Sequence, residues 1–414
     1  MLKIKRVVAV SILVFLPLAL FAQNNTNSPY TRYGYGELAD RSFGAGRAMG
    51  GVGFGMRSSK QINPLNPASY TGMDSLTFLL DFGVAGQLSW FDDGSNKQSN
   101  INGNFEYAAI QFPIHRRIAL SVGLLPISYV GYHFGSSKTV EGISYVEEFS
   151  GSGGLNDVYL GLSVDIWKKR LSVGANVGYL FGTIAHNQSV VFSSTGATSS
   201  TTSKSMKVND IKLDLGIQYT HPLSARESFV IGVAYSPKNK LNTTSYEINV
   251  SGNTLEKADT TRNQLFDMPQ SIGAGVSYVK QNKLTLAADF LYEDWNKARF
   301  FDRRDEFKQR IRVAAGGEFI PAYQNKAFFN RIKYRAGVHY SNSYLRVKGS
   351  SYDEYGASIG FGLPLIDNRS LLNLSLEYVK IQPGDKTLLI SEQYFRFTVN
   401  YTFNELWFLK FKVN

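Results

Sequence analysis

The sequence contains no cysteine, only five histidines and, after its first 22 residues, no run of eighteen apolar residues. Without cysteine the chain forms no disulfide and carries no lipid on an N-terminal cysteine. Without a second long apolar run, no helix could span a bilayer once those first residues are removed. The histidines are His115, His133, His186, His221 and His339, and none has metal-ligand spacing to another. The sequence therefore predicts neither a metal nor another cofactor.

Motifs for nucleotide binding and for nucleophilic catalysis are also missing or out of context. The glycines in 44–53 do not complete G-x-G-x-x-G, and no Gly-Lys-Ser/Thr occurs. Gly356–Gly360 matches G-x-S-x-G, but a nucleophile elbow needs a strand–turn–helix, and this pentapeptide falls inside a predicted strand. An enzyme would require that Ser358→Ala abolish an activity. We predict that the protein is not an enzyme.

Aromatic residues and glycine are abundant, with 24 Tyr, 28 Phe and 38 Gly. Such a composition is typical of many strands joined by tight turns and bordered by interfacial aromatic side chains. The net charge of +11 is spread over the chain, without a basic stripe interleaved with aromatics. Nucleic acid is therefore not a predicted partner, whereas attraction to anionic headgroups or to an acidic ligand stays open.

The first 22 residues, Met1–Ala22, predict a secretory signal peptide. Lys3, Lys5 and Arg6 form a basic stretch, Val7–Phe21 is apolar, and a small residue stands at the cleavage position. An N-terminal membrane anchor is the alternative for this segment.

Residues 23–74 differ from everything that follows. The stretch Ser28–Met73 is rich in glycine, shows neither strand alternation nor a helical stripe, and contains Asn66-Pro67-Ala68 near its end. Glycine-rich backbone packs closely and rearranges at low cost, while proline limits the available paths. We predict that residues 23–74 form an N-terminal plug for the domain that comes after them.

Residues 75–403 alternate between apolar and polar side chains, which is the signature of half-buried strands. In the last segment, for example, Phe395, Phe397 and Val399 share one face, and Arg396 and Thr398 share the other. Fourteen such segments are predicted, at 75–91, 104–114, 118–134, 155–167, 171–192, 203–220, 228–245, 267–279, 283–297, 307–319, 331–345, 352–363, 371–381 and 391–403.

The connections between these segments alternate in length. His115–Arg117, Lys168–Arg170 and Gln281–Asn282 predict tight turns. Longer polar loops are predicted at 92–103, 135–154, 193–203, 246–266 and 298–306. An even strand number with short turns at one rim and long loops at the other is typical of outer-membrane barrels. A soluble β-sandwich is the alternative, but it would need neither feature.

We therefore predict an all-β protein, a transmembrane β-barrel of about fourteen antiparallel strands over 75–403, in the cell outer membrane. Residues 404–414 are predicted as a periplasmic tail, with Trp407, Phe408 and Phe411 as interfacial anchors.

If the apolar faces meet lipid, the polar faces line the lumen. That lumen would hold charges of both signs, which we expect to pair with one another and with the plug, although steering of a ligand is the alternative. The charged residues are Asp165, Asp210, Lys212, Asp214, Asp289, Glu293, Lys308, Arg310, Arg312, Glu318, Lys333, Arg335, Glu377 and Arg396.

The third strand departs from the pattern. In 118–134 the alternation holds to Leu124 and then meets Leu125-Pro126. Proline donates no ladder hydrogen bond and is normally confined to edges and bulges. The strand would bend there and open the wall locally, or Pro126 would only mark a bulge at the rim.

These features resemble the FadL-like family of outer-membrane transporters for long-chain fatty acids and other hydrophobic compounds, in its Bacteroidetes form. The glycine-rich block with Asn66-Pro67-Ala68, the strand interrupted at Pro126 and the segments 267–295, 334–340 and 360–364 carry the resemblance.

The resemblance implies a fourteen-stranded barrel, an N-terminal hatch with Asn66, Pro67 and Ala68, and a lateral opening at Leu125 and Pro126. A small hydrophobic or amphipathic molecule would enter from outside, bind in an apolar pocket near the kink, and leave sideways into the membrane. The implied partners are outer-membrane lipids and that ligand, bound by a monomer.

The long loops, however, are polar, as in Ser193–Ser203 and Leu241–Asn263, where family members have apolar ones. Related barrels anchor or shuttle secreted surface proteins. A role as an anchoring or shuttle component, with secreted proteins as partners, is therefore the alternative function.

Overall fold

The computed structural model describes residues 26–406 except 141, 194–196, 262–265, 324, 326, 366–368 and 386–387. The predicted signal peptide and the anchors Trp407, Phe408 and Phe411 lie outside the described residues. No helix among the described residues is both long and apolar enough to cross a bilayer.

Fourteen antiparallel strands, each hydrogen-bonded to the next, close into a barrel when the last strand pairs with the first. They are β1 (Thr77–Asp92), β2 (Lys97–His115), β3 (Ile118–Val140), β4 (Ile143–Trp167), β5 (Leu171–Phe192), β6 (Ser200–Pro222), β7 (Glu227–Ser236), β8 (Ser271–Lys280), β9 (Leu284–Glu293), β10 (Arg310–Phe319), β11 (Lys333–Asn342), β12 (Tyr352–Pro364), β13 (Leu371–Pro383) and β14 (Ser391–Leu406). The predicted fold class and strand number are confirmed.

The two faces of each strand differ as the alternation predicts. On β14, Phe395 and Phe397 are 41% and 49% exposed on the outside, while Arg396 and Thr398 are 6% and 5% exposed inside. The apolar faces point away from the lumen because the polar faces find their hydrogen-bond partners inside the barrel.

The predicted long loops are partly wrong, because several of them are strands. Residues 135–154 belong mostly to β3, which ends at Val140, and β4, which begins at Ile143. The predicted strand 228–245 ends at Ser236, and most of the predicted loop 246–266 belongs to the hairpin Thr243–Ser251 and Thr254–Thr261. Residues 135–139 and 150–154 are polar or glycine, so they lack the alternation that identifies a strand.

The upper parts of β3, β4, β5 and β6 therefore rise as one sheet, which we call the raised wall. The hairpin Thr243–Ser251 and Thr254–Thr261 extends it, since Thr243–Ser251 pairs with β6 from Val208 to Ser200. The raised wall lies at the rim opposite the short turns.

The remaining elements are short. They comprise the helices α1 (Gly44–Ala48) and α2 (Phe328–Arg331), the 3-10 helices Pro29–Arg32, Pro67–Gly72 and Trp295–Lys297, and the two-residue strands Glu37–Leu38, Asn239–Lys240 and Asp267–Met268.

Residues 26–76, here called the inner segment, lie against the inward faces of the barrel. The wall allows this approach because many strands present a glycine there. A Cβ atom at Gly216 would lie 2.2 Å from Asn66 Oδ1, and one at Gly337 would lie 2.1 Å from the carbonyl carbon of Met49. The wall glycines at which an added Cβ atom would meet the inner segment are Gly131, Gly161, Gly174, Gly216, Gly232, Gly273, Gly275, Gly316, Gly337 and Gly360.

Candidate functional site

Asn66 joins the inner segment to the barrel wall. It is fully buried and caps the 3-10 helix Pro67–Gly72, with its Oδ1 accepting a hydrogen bond from Ala68 N at 3.1 Å. Its Nδ2 donates to the carbonyl oxygens of Phe54 at 2.9 Å and of Ile217, on β6, at 3.2 Å. Because the Asn66 side chain has both an acceptor and a donor, it links the 3-10 helix to the loop at Phe54 and to the barrel wall at Ile217.

Ion pairs hold the inner segment at several further points. Arg41 lies 2.7 Å from Asp214, and Asp40 lies 3.1 Å from Arg312. Arg47 pairs with Glu106 where both side chains are almost fully buried. Of the predicted lumenal charges, Asp214 and Arg312 pair with the inner segment, whereas Glu106 was not predicted. Removing one partner of a buried pair typically costs about 3–5 kcal/mol, because the other charge stays buried and unpaired.

The wall is not continuously paired between β2 and β3. Their ladder ends at Ala108 and Leu124, so Leu125 and Pro126 are the first residues of β3 without a partner on β2. On the other side, the register of β3 against β4 shifts between Pro126 and Ser128. We call this unpaired stretch, Leu125–Gly131 of β3 facing Asn102–Tyr107 of β2, the seam.

The inner segment supplies hydrogen bonds along the seam. Its strand Glu37–Leu38 pairs with Ser128 and Tyr129, and Ala39 N donates to Ile127 O at 3.0 Å. The Tyr129 hydroxyl crosses the seam and donates to the carbonyl oxygen of Phe105, 3.2 Å away. The seam is thus closed by a two-residue strand and single side-chain contacts.

A cavity of about 190 Å³ lies between the inner segment and the wall. It borders the seam at Ile127, and Leu38, Trp295 and Tyr344 add apolar surface. Further apolar side chains line it, such as Phe54 and Leu65. Its charged lining residues are Glu37, Asp40, Arg41, Lys212, Asp214, Asp289, Glu293, Arg310, Arg312, Glu354, Glu377 and Arg396. The pocket expected near the kink is therefore present, but it is amphipathic, because the polar face of each strand points into it.

Aromatic side chains from the long loops close over the cavity. Tyr35 of the inner segment is fully buried, and its ring centroid lies 5.6 Å from that of Trp295 and 5.2 Å from that of Phe300. Phe307 and Tyr344 complete this cluster, which we call the aromatic dome. The dome stands between the cavity and the side of the long loops.

Hydrogen bonds hold Tyr35 in the aromatic dome. Its hydroxyl lies 3.0 Å from Asp267 O and 2.8 Å from Arg299 O, and the Tyr344 hydroxyl donates to Gly36 O at 2.5 Å. Asp267 accepts two hydrogen bonds from the Arg299 guanidinium, at 2.8 and 3.1 Å. Burial of Asp267 opposes its ionisation, but Arg299 and Lys238 hold the pKa of its carboxyl below the usual range.

The sequence predicted some of these residues and missed others. Asn66, Pro67 and Ala68 lie together at one turn of the inner segment, and Leu125 and Pro126 lie at the start of the seam. The strand Glu37–Leu38 was missed, since two residues have no periodicity. The aromatic dome was missed too, although the aromatic residues in 295–307 were a usable signal.

The predicted G-x-S-x-G pentapeptide lies within β12. There the Ser358 hydroxyl accepts a hydrogen bond from Gly50 N at 2.9 Å, so this serine contacts the inner segment.

Comparisons with known proteins place the chain among outer-membrane channel folds. A model of the family described as BamG matches residues 2–414. None of the curated proteins searched matches the chain.

Three solved structures illustrate the similarity of the fold. The CymD monoaromatic hydrocarbon channel has a TM-score of 0.60 at 16% identity, covering 87% of this chain and 97% of its own. The toluene transporter TbuX of Ralstonia pickettii has a TM-score of 0.58 at 15% identity, with coverages of 87% and 98%. A FadL homologue of Pseudomonas aeruginosa has a TM-score of 0.54 at 13% identity, with coverages of 89% and 99%.

Proposed function

Since the chain belongs to the BamG family and folds as a closed fourteen-stranded barrel, we propose that it is an outer-membrane transport protein for small amphipathic or hydrophobic molecules. The observation that carries this proposal is a cavity that borders an unpaired stretch of the barrel wall. The structural neighbours whose names describe a role are channels and transporters for hydrocarbons, which supports transport rather than catalysis.

In this proposal the inner segment is a hatch and the seam is a lateral opening. Glu37–Leu38 must leave Ser128 and Tyr129 for the seam to open. A hydrogen bond contributes only about 0.5–1.5 kcal/mol net to stability, so a two-residue strand can be released at modest cost. The opening would begin at Leu125 and Pro126 and extend no further down the wall, because β2 and β3 are paired from Leu124 to Ile118.

The lining of the cavity defines the class of ligand. Apolar residues such as Leu38, Ile127 and Trp295 share the lining with twelve charged residues. A purely hydrocarbon ligand would leave buried charges without water, which is costly. A molecule with an apolar body and a polar group fits both parts of the cavity, and the membrane lipid next to the seam would receive it.

The raised wall favours a second function, the anchoring or shuttling of secreted proteins. Its strand Thr254–Thr261 pairs with Thr243–Ser251. Its side chains are exposed and include Glu256, Lys257 and Asp259. A polar sheet that extends beyond the rim offers an area for protein contact that a small-molecule channel does not need.

Native mass spectrometry, with lipid extraction, of the barrel purified gently from its own membrane tests the first function against the second. A co-purifying amphipathic molecule that is lost in an Asn66 or Pro126 variant is the outcome expected of a transporter. A co-purifying secreted protein with an empty lumen would instead favour the anchoring role and contradict transport.

A further inference from the structure

Four consecutive turns at the short-turn rim are rich in basic residues, with two flanking carboxylates: Asp165, which accepts hydrogen bonds from Lys169 N, and Glu227. They join β2 to β3, β4 to β5, β6 to β7 and β8 to β9, and together we call them the basic arc. Their residues are His115–Arg117, Trp167–Arg170, Leu223–Arg226 and Lys280–Lys283, with eight Lys or Arg and no Asp or Glu. Antiparallel strands bring all four turns to one rim, so the basic arc follows more than half of the barrel circumference.

Seven of these eight basic side chains make no salt bridge among the described residues. Lys280 pairs with Glu227 at 2.7 Å. Within the described part of the chain, the other seven side chains make no salt bridge: Arg116, Arg117, Lys168, Lys169, Arg170, Arg226 and Lys283. At the opposite rim, charges do pair, as in Lys138–Glu147 at 2.6 Å and Arg303–Glu306 at 3.1 Å. Arg304 and Lys348 at that rim, however, also make no salt bridge among the described residues, so the basic arc is distinguished by its density of basic residues in four short turns.

The turn between β4 and β5 has lysines at two positions where its backbone conformation favours other residues. Lys168 and Lys169 both have positive φ, at 42° and 60°, and Arg170 N bonds to Trp167 O at 2.7 Å. A two-residue turn with left-handed φ at both positions prefers Asn-Gly, because a Cβ atom is strained there. The geometry of the turn therefore does not explain the two lysines, and we infer that their charge has a role of its own.

The surroundings of the basic arc identify its partner. Apolar side chains point outward within one or two residues of the charges, with Ile114 57% and Ile166 54% exposed. The Arg170 guanidinium lies 5.5 Å from the centroid of the exposed Trp167 ring. Tryptophan beside apolar side chains marks the membrane–water interface. The charges therefore lie at the level of lipid phosphates, which favours lipid over an acidic soluble protein.

We propose that the basic arc is a binding surface for anionic phospholipid headgroups at the short-turn rim. Lys and Arg contribute charge-assisted hydrogen bonds to phosphate oxygens, and the apolar side chains above them hold the acyl chains. This inference rests on the membrane-spanning placement proposed above, but not on the identity of any transported molecule.

The test uses the full chain and a mixture of phosphatidylglycerol and phosphatidylcholine in equal amounts, followed by native mass spectrometry of retained lipid. We expect phosphatidylglycerol to be retained preferentially. A variant with Lys168→Asn, Lys169→Gly, Arg116→Gln and Arg117→Gln should lose that preference by about fivefold or more, since each basic residue near a membrane surface contributes roughly that factor. The Asn-Gly turn should leave folding intact, which heat-modifiable gel mobility reports.

A matched control removes four basic residues at the opposite rim: Lys257→Gln, Arg303→Gln, Arg304→Gln and Lys348→Gln. It should keep the preference for phosphatidylglycerol, and an equal loss in the control would overturn the proposal. Equal retention of both lipids by the unmodified chain would do so too. Tighter binding of polyglutamate than of phosphatidylglycerol would assign the basic arc to an acidic protein and also contradict it.

Failure of this inference and of the proposed function can be told apart. A chain that does not insert into phosphatidylcholine nanodiscs contradicts the membrane-spanning placement. A chain that inserts but shows no preference for phosphatidylglycerol contradicts the lipid surface alone.

Discussion

Asn66 shows how one amide can connect three parts of a structure. Its oxygen caps the turn at Ala68, and its nitrogen donates to Phe54 O and to Ile217 O. Each partner belongs to a different loop or strand, and the amide is fully buried. An unsatisfied buried group costs about 1–3 kcal/mol, so the site depends on having both a donor and an acceptor.

We predict that Asn66→Asp destabilises the inner segment more selectively than the barrel. The carboxylate keeps the cap to Ala68 but loses both donated bonds and faces the carbonyl oxygens of Phe54 and Ile217. Hydrogen exchange should accelerate in 54–72 by the equivalent of about 1–3 kcal/mol. Unchanged exchange there would show that the donated bonds contribute nothing.

A second prediction concerns a glycine on the inward face of the barrel wall. Gly337→Val would place a Cβ atom 2.1 Å from the carbonyl carbon of Met49, so the inner segment must move away. Gly103→Val is the control, since nothing lies within 4 Å of its added Cβ. Limited proteolysis should cleave the inner segment faster in Gly337→Val only. Equal cleavage in both variants would contradict close packing at Gly337.

At the scale of an element, β3 contributes both to the wall and to the seam. Its lower half pairs with β2 and β4, while its upper half pairs with β4 and the strand Glu37–Leu38. A proline at the transition has no N–H to donate, so β3 loses one ladder bond where it departs from β2.

We predict that Pro126→Val abolishes ligand passage but leaves the barrel assembled. Valine supplies an N–H and favours extended backbone, which allows the pairing of β2 and β3 to extend beyond Leu124. Uptake of the co-purified ligand should fall, and heat-modifiable gel mobility should stay normal. Normal uptake in this variant would contradict an exit at the seam.

The aromatic dome is a second element that the inner segment enters. Tyr35→Ala removes the ring between Trp295 and Phe300 together with the hydroxyl bonds to Asp267 O and Arg299 O. We expect faster hydrogen exchange in 295–307 and higher sensitivity of cells to vancomycin. Tyr35→Phe keeps the ring and should change exchange much less. Equal effects of the two variants would show that the Tyr35 hydroxyl, and not its ring, stabilises the aromatic dome.

At the scale of the whole molecule, the hairpin at 243–261 is separable from the barrel. Its strand Thr243–Ser251 pairs with β6 above the stretch where β6 pairs with β7. Replacing 243–261 by a short glycine-rich loop should therefore leave the barrel folded and the cavity closed.

The consequence of that replacement separates the two candidate functions. If the protein transports small molecules, uptake should be unchanged. If it anchors secreted proteins, recovery of a protein partner by affinity purification should fall. Loss of uptake with a normally folded barrel would contradict the transport pathway through the seam.

Prediction from the sequence was most accurate where one strand face meets water or polar groups and the other does not. The bounds of β5 were predicted without error, and those of β12 and β13 to within two residues. It failed for the upper parts of β3 and β4, where residues 135–139 and 150–154 are all polar or glycine and show no alternation. It also missed the strand Thr243–Ser251, although Tyr246, Ile248 and Val250 alternate there with polar residues.

The strand number, the direction of each face and the proline at which β3 leaves β2 can all be read from the sequence. All three depend on local order along the chain: period-two alternation, turn residues and a single proline. Which inner residues close the seam, which aromatic rings form the dome, and which charged residues line the cavity follow from the three-dimensional fold. Those features depend on contacts such as Glu37 with Tyr129 and Tyr35 with Trp295, whose partners are far apart in sequence and leave no local pattern.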